Sequence, residues 1–360
     1  MADIRIFSAR KIITMSRNRP EATHVAVRDG RILGVGELSD LEGWGAYELD
    51  DRLAGKVLMP GFVEGHCHLP AGGIWRYIYT GYHDRIDPAG VHWPGIDSID
   101  GVIARLKEAE ARLSEGTPLI AWGFDPIFLG KLRPTCGDLD QVSTDRPVVL
   151  MHSNFHVMTV NSAALRLADY SAGTNVEGVV KAADGSPNGE LQEMAAMFPV
   201  MRRTGIDFRD LARHEAEILD FGTVCKRAGV TTATDLYSGL DDEEVEALLK
   251  ITAQDRFPVR LVPAMNSLSR PADDVVSRAL ALREKSTDKL RLGAVKVMTD
   301  GSIQAFTARL LWPGYYNGAP NGIWNIAPEQ LDVLVEKLVA AGLQMHVHTN
   351  GDEATEVTLD

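Results

Sequence analysis

From about residue 210 onward, the sequence repeats a helical segment followed by a short apolar segment typical of a strand. Four such pairs follow one another, and their apolar segments are VTTATDL, VRLVPAM, LGAVKVM and LQMHVHT. Gly229 and Gly342 stand where a helix C-terminus favours a left-handed residue. Short apolar strands are expected where both faces of a sheet are covered. Units of about 30 residues that alternate in this way predict a parallel sheet, either a closed (β/α) barrel or an open doubly wound sheet.

The rest of the chain divides into two further parts. Residues 1–58 contain short strand-like runs, and Asp29-Gly30 between two alternating runs indicates a tight hairpin. We therefore expect a small β segment there. Residues 59–360 form the αβ part, with a less regular insertion at about 70–210 that we expect to follow the first strand and to cover the mouth of the barrel.

Composition disfavours several classes of protein. Lys and Arg number 37 against 50 Asp and Glu, a net charge of -13 without any basic run, which argues against nucleic-acid and anionic-membrane partners. No apolar run approaches the ~18 residues of a membrane span. Cys67, Cys136 and Cys225 are far apart and odd in number, so no disulfide framework is expected. We expect a small-molecule partner and a cytoplasmic location, and the oligomeric state stays open, a homodimer included.

Two His-x-His pairs carry the strongest chemical signal. His66 and His68 flank Cys67, so on a strand both imidazoles point to one side. His346 and His348 form a second pair at the end of a predicted strand. Barrel active sites lie at the carboxyl ends of parallel strands, and imidazole is a common ligand of divalent metals. We therefore favour a metal site over chance packing, with His348 a better ligand than the deeper His346.

Lys296, between the apolar Val295 and Val297, is the third signal. A buried ammonium is costly and tends to lose its proton, and the neutral amine can react with carbon dioxide to give a carbamate that bridges two cations. The alternative is an ordinary ion pair with a buried carboxylate. The two histidine pairs favour the metal interpretation.

Several motifs carry a family resemblance, and in chain order the main ones are LMPGFVEGHCHLP, AGVTTATDLY, VKVMTDGSIQAFTA and HVHTNGDEA. With these and the segments WGFDP, HVMTVNSAAL and PNGELQEMA, nearly the whole chain resembles the amidohydrolase superfamily. The resemblance is specific to the branch of amidohydrolase family 3 that includes N-substituted formamide deformylase-like enzymes. It implies an α/β fold, a TIM (β/α)8 barrel of the metal-dependent hydrolase type with a small N-terminal β-sandwich segment.

The resemblance also implies roles for particular residues. His66 and His68 would bind metal from the first barrel strand, Lys296 would be the bridging residue on the fourth, with or without carboxylation, and His348 would be the ligand on the fifth. Lys296 and His348 would thereby take part in catalysis. The implied cofactor is Zn2+, as one or two divalent ions.

The insertion would line the substrate pocket, with candidate residues Trp122, Asp125, His156, Asn161 and Glu193. Two of these have a structural role as the alternative to substrate binding, because Trp122 fits a core position and Asp125 before a proline fits a turn. Outside the insertion, Asp300 and Asp352 are expected to cap a helix or loop.

The chain departs from the family pattern in its last part. That pattern has a further histidine on a sixth strand and an aspartate at the end of the eighth, whereas this sequence stops at DEATEVTLD after the predicted fifth strand. Five strands alone leave an open edge. We therefore expect the chain to be the N-terminal part of a longer protein.

The implied reaction is metal-dependent hydrolysis of a non-peptide C–N bond in a small amide or formamide. A divalent ion lowers the pKa of a water towards 7 and polarises the substrate carbonyl, and an acid group protonates the departing amine. An ester or lactone hydrolase and a nucleobase deaminase are alternatives on the same barrel, although Lys296 argues against the deaminase. A non-catalytic regulatory or binding protein is the alternative from another class. A nucleotide-binding sheet is disfavoured, because no Gly-rich phosphate motif follows a strand.

Overall fold

The computed structural model of the protein describes residues 3–207, 210–268, 270–303 and 306–360. Gln304 and Ala305 of the motif VKVMTDGSIQAFTA therefore lie outside the described residues. The chain forms two compact units, Met1–Val63 and Glu64–Asp360. Within the described ranges, no helix is long and apolar enough to cross a membrane.

The first unit is a five-stranded sheet with strand order β3-β2-β1-β4, in which β5 pairs with β1. The hairpin indicated by Asp29-Gly30 is present, because β2 and β3 are antiparallel and both turn residues have positive φ, 50° and 71°. Ile4, Ile6 and Leu41 bury the apolar face of this sheet. The elements of this unit are β1 Ile4–Ile13, β2 Glu21–Arg28, β3 Arg31–Gly36, α1 Leu38–Leu41, the 3-10 turn Glu42–Trp44, β4 Tyr47–Asp50 and β5 Val57–Leu58.

Strand β6 Phe62–Cys67 contains the boundary between the two units, and a six-stranded sheet then follows in the region predicted as an insertion. The strand order of that sheet is β13-β14-β12-β11-β10-β7. Its middle strand β11 is buried on both faces, which explains its continuous apolar run. The strands of this region are β7 Ile78–Tyr79, β8 Arg85–Ile86, β9 His92–Trp93, β10 Leu119–Phe124, β11 Val148–His152, β12 Val157–Val160, β13 Val179–Lys181 and β14 Pro187–Gln192.

Helices of the same region cover the two faces of the six-stranded sheet. Val149 and Met151 of β11 pack on one side with α5 and α6, and Val148 and Leu150 pack on the other side with α3. The helices are α2 Pro70–Gly73, α3 Ile99–Glu110, α4 Cys136–Asp140, α5 Ser162–Leu167 and α6 Glu193–Thr204, with 3-10 turns at Ile74–Arg76 and Pro126–Leu129.

The repeated helix-strand pattern is present after residue 210, and its strands lie side by side in sequence order. One sheet has the order β16-β15-β6 and the other β17-β18-β19, with parallel pairing at β15–β16, β17–β18 and β18–β19. A doubly wound sheet would reverse its strand order, whereas these strands follow one another as in a barrel wall. The elements are the 3-10 turn Asp210–Ala212, α7 Glu215–Arg227, β15 Val230–Asp235, α8 Asp242–Thr252, β16 Arg260–Leu261, β17 Ala264–Asn266, α9 Ala272–Arg283, β18 Ala294–Met298, α10 Pro328–Ala340, β19 Met345–His348 and α11 Asp352–Leu359.

The predicted strand VRLVPAM is divided into β16 and β17. Pro263 lies between them and has no backbone N–H to donate to a neighbouring strand. Isolated parallel bridges join Leu261 to Leu290 and Ser238 to Met265. Both short strands therefore occupy one position between β15 and β18, and we call β6, β15, β16–β17, β18 and β19 together the strand run.

One large apolar core lies between the strand run and the helices α7 to α10. Val295 and Val297 of β18 are fully buried in it, as is Ala233 of β15. Helix residues that complete this core are Ile218, Phe221, Val245, Leu248, Val275, Ala279, Leu331, Leu334 and Leu338. Burial of each Val, Leu, Ile or Phe side chain contributes about 1.5–3 kcal/mol to the stability of the fold. This core therefore determines which face of each strand in the strand run is buried.

The start of α11, just after β19, is anchored by the carboxylate of Asp300. Its oxygens accept hydrogen bonds from the backbone N–H groups of Asn350, Gly351 and Arg309, at 2.9, 2.8 and 3.0 Å. The expectation that Asp300 caps a helix or loop is therefore confirmed by its contacts. Asp352 likewise accepts from the backbone N–H of Leu311 at 2.8 Å.

Replacing Gly351 by alanine should destabilise this anchor, because a Cβ there would overlap the backbone carbonyl of Arg309. We expect Gly351→Ala to lower the unfolding free energy by about 1–3 kcal/mol, the usual cost of overpacking. Urea unfolding of the intact protein measures the change. Gly55→Ala is the control, since no atom lies within 4 Å of a Cβ there. Equal midpoints for the two variants would contradict the close approach.

Candidate metal centre

The side of each strand that faces away from the helix core is determined by strand alternation. Val295 and Val297 are in the core, so Lys296 between them points to the opposite side. The same holds on β19, where Met345 and Val347 contact the core and leave His346 and His348 on the other side. Register pairs Lys296 with His346 and Met298 with His348. Lys296, His346 and His348 therefore share one face of the strand run.

His66 and His68 lie at the end of β6 and face the same side. Cys67 packs against the helix core, which directs its two neighbours away from it. The centroids of the two imidazole rings are 5.4 Å apart, with the ring planes nearly perpendicular. The backbone N–H of His66 donates to Glu64 Oε1 at 3.1 Å. Both rings are partly exposed, so a ligand can reach them.

Asp235 contacts the first histidine pair, and the sequence analysis did not single it out. It ends β15, is 2% exposed, and its Oδ1 lies 3.3 Å from Nδ1 of His68. The same oxygen accepts from the backbone N–H of Tyr237, and Oδ2 accepts from Ser238 Oγ. The motif AGVTTATDLY contained this residue, and the available signal was a carboxylate at the end of the strand that neighbours the first histidine pair.

His348 is held through its Nε2 atom. Nε2 lies 3.1 Å from the carbonyl oxygen of Gly301 and 3.2 Å from Nδ2 of Asn350, and a carboxylate oxygen of Asp300 is 3.9 Å away. These neighbours occupy one ring nitrogen and leave Nδ1 as the nitrogen with which His348 could bind a metal. His346, by contrast, contacts Gln344 through its own Nε2.

Lys296 is 5% exposed, and burial lowers the pKa of its ammonium. Among the described residues, no carboxylate counteracts that effect, so the ion pair considered for this lysine is not found. The pKa of His66 is lowered as well, first by partial burial and then by the positive charges of His68, Lys296 and His348. The four candidate ligands are thus close enough to influence one another electrostatically.

The geometry provides a histidine pair rather than a complete metal cage. In the described part of the chain, no three His, Cys, Asp or Glu side chains stand close enough together to hold one ion. His348 therefore does not join His66 and His68 around a single cation in this arrangement. The donor chemistry still fits a divalent cation, because two imidazoles, a third imidazole and a lysine that could carry a carbamate supply nitrogen and oxygen ligands.

In the insertion, Trp122 lies in an aromatic group with Trp75 and Tyr79, with both ring centroids 5.0 Å from its own. It also packs against the core of the six-stranded sheet. Trp122 therefore occupies a core position, which was the alternative to substrate binding. Its buried indole N–H has no acceptor among the described residues.

His156 and Glu193 form a pair at the end of the same sheet. Nδ1 of His156 is 3.0 Å from Oε2 of Glu193, and this hydrogen bond raises the pKa of His156 against the opposing effect of partial burial. Glu193 has φ 60°, a left-handed conformation that costs about 1 kcal/mol or more for a residue other than glycine. Its buried Oε1 has no partner in the described ranges. Strain and unused polar groups of this kind often mark binding sites.

Asp125 caps a turn, as its position before a proline suggested. Its Oδ1 accepts from the backbone N–H of Ile127 at 3.0 Å, and its Oδ2 accepts from Ser153 Oγ at 2.9 Å. The side chain is partly exposed. Both carboxylate oxygens therefore have partners that fix the turn Pro126–Leu129.

Asn161 has a structural role that replaces the substrate-binding role expected from the sequence. It is 0% exposed, and its Oδ1 accepts from the backbone N–H groups of Val148 and Ala164. Its Nδ2 donates to the carbonyl oxygens of Ser143 and Arg146. All four hydrogen-bonding positions of the amide are used, so none is left for a substrate.

Comparisons with known proteins indicate the family and the fold of this chain. The model of a protein family described as "Amidohydrolase family" matches residues 53–360. The solved structure of an uncharacterized metal-dependent hydrolase from Pyrococcus horikoshii OT3 superposes with a TM-score of 0.67 at 21% sequence identity, over 99% of this chain and 67% of that chain. That likeness shows a common fold.

Curated relatives extend the comparison. Putative amidohydrolase YtcJ of Bacillus subtilis (strain 168) is 30% identical over 97% of this chain and 64% of its own length. Protein LONG AFTER FAR-RED 3 of Arabidopsis thaliana is 28% identical over 97% of this chain and 59% of its length. N-substituted formamide deformylase of Arthrobacter pascens is 26% identical over 54% of this chain and 35% of its length. This chain spans about six tenths of the length of the first two.

Replacing Asn161 by alanine should destabilise the insertion. Four hydrogen bonds at about 0.5–1.5 kcal/mol each predict a loss of about 2–6 kcal/mol in unfolding free energy. Urea unfolding measures it, with Asn317→Ala as the control, because that exposed amide accepts one bond from Ala319. A loss no larger than that of the control would contradict the structural role.

The His156–Glu193 pair predicts a pH dependence. Because the folded-state pKa of His156 is raised, the pair stabilises the fold below the unfolded pKa of about 6.5, and this contribution is lost as pH rises through the folded value. In NMR titration we expect His156 to titrate above its ordinary value in the wild type and to return towards it in Glu193→Gln. Glu177→Gln, a neutralised exposed carboxylate of the insertion, should leave it unchanged. A wild-type value at or below the ordinary one would rule out the pair.

Proposed function

Since this chain belongs to the amidohydrolase family, we propose that it supplies the metal-binding part of a hydrolase that cleaves a non-peptide C–N bond in a small amide or formamide. The family resemblance found in the sequence is confirmed by that match. The observation that carries the proposal is the placement of His66, His68, Lys296 and His348 on one face of the strand run, at or near the strand ends.

We further propose that the strand run belongs to a (β/α)8 barrel. Three features support this: parallel strands in sequence order, helices on one face, and polar side chains on the opposite face. Catalytic residues of such barrels come from the carboxyl ends of several strands. His66 near the end of β6 and His348 at the end of β19 occupy that position.

The proposed cofactor is zinc, because imidazole nitrogen and carbamate or carboxylate oxygen are ligands that zinc accepts. His66, His68 and a carbamate on Lys296 would hold one ion. His348, which is separate from the histidine pair, would hold a second ion together with the same carbamate. A bound divalent cation would polarise the substrate carbonyl and lower the pKa of a water.

The chain's own residues would prepare this chemistry in two ways. The neighbours of His68 and His348 each engage one ring nitrogen and leave the other for a metal. Burial lowers the pKa of Lys296 and thereby favours the neutral amine, whose nitrogen can attack carbon dioxide and then lose a proton to give a carbamate.

Substrate contacts are proposed for the insertion, at Trp122, Asp125, His156 and Glu193. The support differs among them. Trp122 and Glu193 each have a buried polar atom without a partner among the described residues. His156 is about half exposed at its side chain, whereas Asp125 has both oxygens engaged and would contribute mainly by shaping the turn.

Location and partner remain parts of the same proposal. Cys67, Cys136 and Cys225 are free thiols, which fits a reducing compartment such as the cytoplasm. The histidines of the candidate site are partly exposed, and we propose a small-molecule substrate rather than a polymer.

The double variant His66→Ala with His68→Ala tests the proposal. We expect the intact wild-type protein to hold one or two zinc ions per chain, and the double variant to lose metal and to hydrolyse N-substituted formamides and amides only at the background rate. Metal analysis and amine release measure the two effects. The matched control is His92→Ala with His214→Ala, which removes two exposed histidines outside the strand run.

Retained metal and retained turnover in the His66/His68 variant would contradict the proposed site. A folded wild-type protein that holds no metal and hydrolyses no amide of the panel would favour the regulatory or binding alternative. Turnover of esters or lactones with no turnover of amides would keep the metal centre and change the bond that is cleaved.

A further inference from the structure

We propose that Asp235 is a positioning residue that holds the His68 ring with its Nδ1 protonated, so that Nε2 presents its lone pair to a cation. The inference deepens the proposed function and rests on it for the role of His68 as a ligand. The orientation of the ring itself can be tested on the metal-free protein.

The contacts of Asp235 decide which atom carries the proton. Its Oδ1 faces Nδ1 of His68 at 3.3 Å and also accepts from the backbone N–H of Tyr237 at 3.1 Å. A backbone amide can only donate, so this oxygen acts as an acceptor. Oδ2 likewise accepts from Ser238 Oγ, so both oxygens act as acceptors and Nδ1 is the atom that donates. The neutral imidazole then has its free lone pair on Nε2.

The carboxylate is itself fixed on its far side. Oδ2 accepts from Ser238 Oγ at 2.7 Å, and Ser238 is 3% exposed with its backbone N–H bonded to the carbonyl oxygen of Ala264. The side chain of Asp235 is 3% exposed, whereas that of His68 is 49% exposed. The buried residue therefore holds the exposed one.

His68 has little else to hold it. Among the described residues, Asp235 is the hydrogen-bond partner of its ring, and the other close ring contact is the edge of His66. The backbone supports the approach, because the N–H of Leu236 donates to the carbonyl oxygen of Cys67 at 3.2 Å and joins the ends of β15 and β6. Loss of Asp235 would free the ring to rotate and to change tautomer.

A carboxylate behind a histidine ligand typically changes metal affinity by 10–100-fold. His348 instead contacts the backbone carbonyl of Gly301 and the side-chain amide of Asn350. Of these two proposed ligands, His68 is therefore the one whose ring faces a buried carboxylate within hydrogen-bond distance. We expect its sensitivity to mutation to be concentrated at Asp235.

The first measurement is nitrogen NMR of the His68 ring in metal-free protein, with His68→Asn identifying its signals. In the wild type we expect the neutral ring to carry its proton on Nδ1. In Asp235→Ala we expect the proton on Nε2 for most of the population. In Asp235→Asn the carbonyl oxygen must still face the Tyr237 amide, so the Nδ1 proton should be retained. A role limited to folding would leave the tautomer unchanged in all folded variants.

The second measurement is zinc affinity by competition with a chromophoric chelator. We expect the zinc Kd to rise 10–100-fold in Asp235→Ala, and by less in Asp235→Asn, which keeps the hydrogen bond and loses the charge. Glu64→Gln is the charge-matched control, because that exposed carboxylate also lies beside the histidine pair and contacts the His66 backbone. We expect its Kd to stay within about threefold, since no second-sphere bond to a ring is lost.

A wild-type His68 protonated on Nε2 would overturn the inference, whether or not Asp235→Ala folds. An unchanged tautomer and unchanged zinc Kd in Asp235→Ala would also overturn it. Failure of the proposed function is a separate result, because the wild type would then bind no zinc while the tautomer measurement in metal-free protein would still stand.

Discussion

The packing of four helices against one face of the strand run is the constraint on which the rest of the site depends. Val295, Val297 and Cys67 contact this core, and strand alternation then leaves Lys296, His66 and His68 no other direction than the opposite face. A one-residue slip of a strand would turn its polar residues into the core, where unpaired charges are costly. The apolar residues therefore position the polar ones.

The polar side of the strand run is organised by a second layer of contacts. Asp235 holds His68, the carbonyl of Gly301 lies against His348, and Asp300 fixes the backbone just after β19. Each of these contacts joins the end of one strand to the end of another or to its following loop. The candidate ligands are thus oriented by groups from neighbouring strands and loops, which makes the candidate site a property of the assembled strand run rather than of any single motif.

Much of this could be predicted from the sequence, because alternation and spacing are local. The spacing of His66 and His68 predicted that both imidazoles point to one side of their strand, and Asp29-Gly30 indicated the hairpin. The contact of Asp235 with His68 was not predicted, because it joins residues 167 positions apart. Asn161 was assigned to the substrate pocket, but whether an amide is free depends on backbone groups 13 to 18 residues away in sequence. The apolar segment VRLVPAM was predicted as one strand, but Pro263 divides it into two.

Anomalous X-ray diffraction from crystals of the intact protein grown with zinc, recorded on both sides of the zinc absorption edge, is the most direct test. We expect an anomalous peak about 2.0–2.1 Å from one nitrogen of each ring of His66 and His68, the usual zinc–imidazole distance. Zinc peaks only at other places, or none in crystals of active protein, would contradict a metal centre built on this histidine pair.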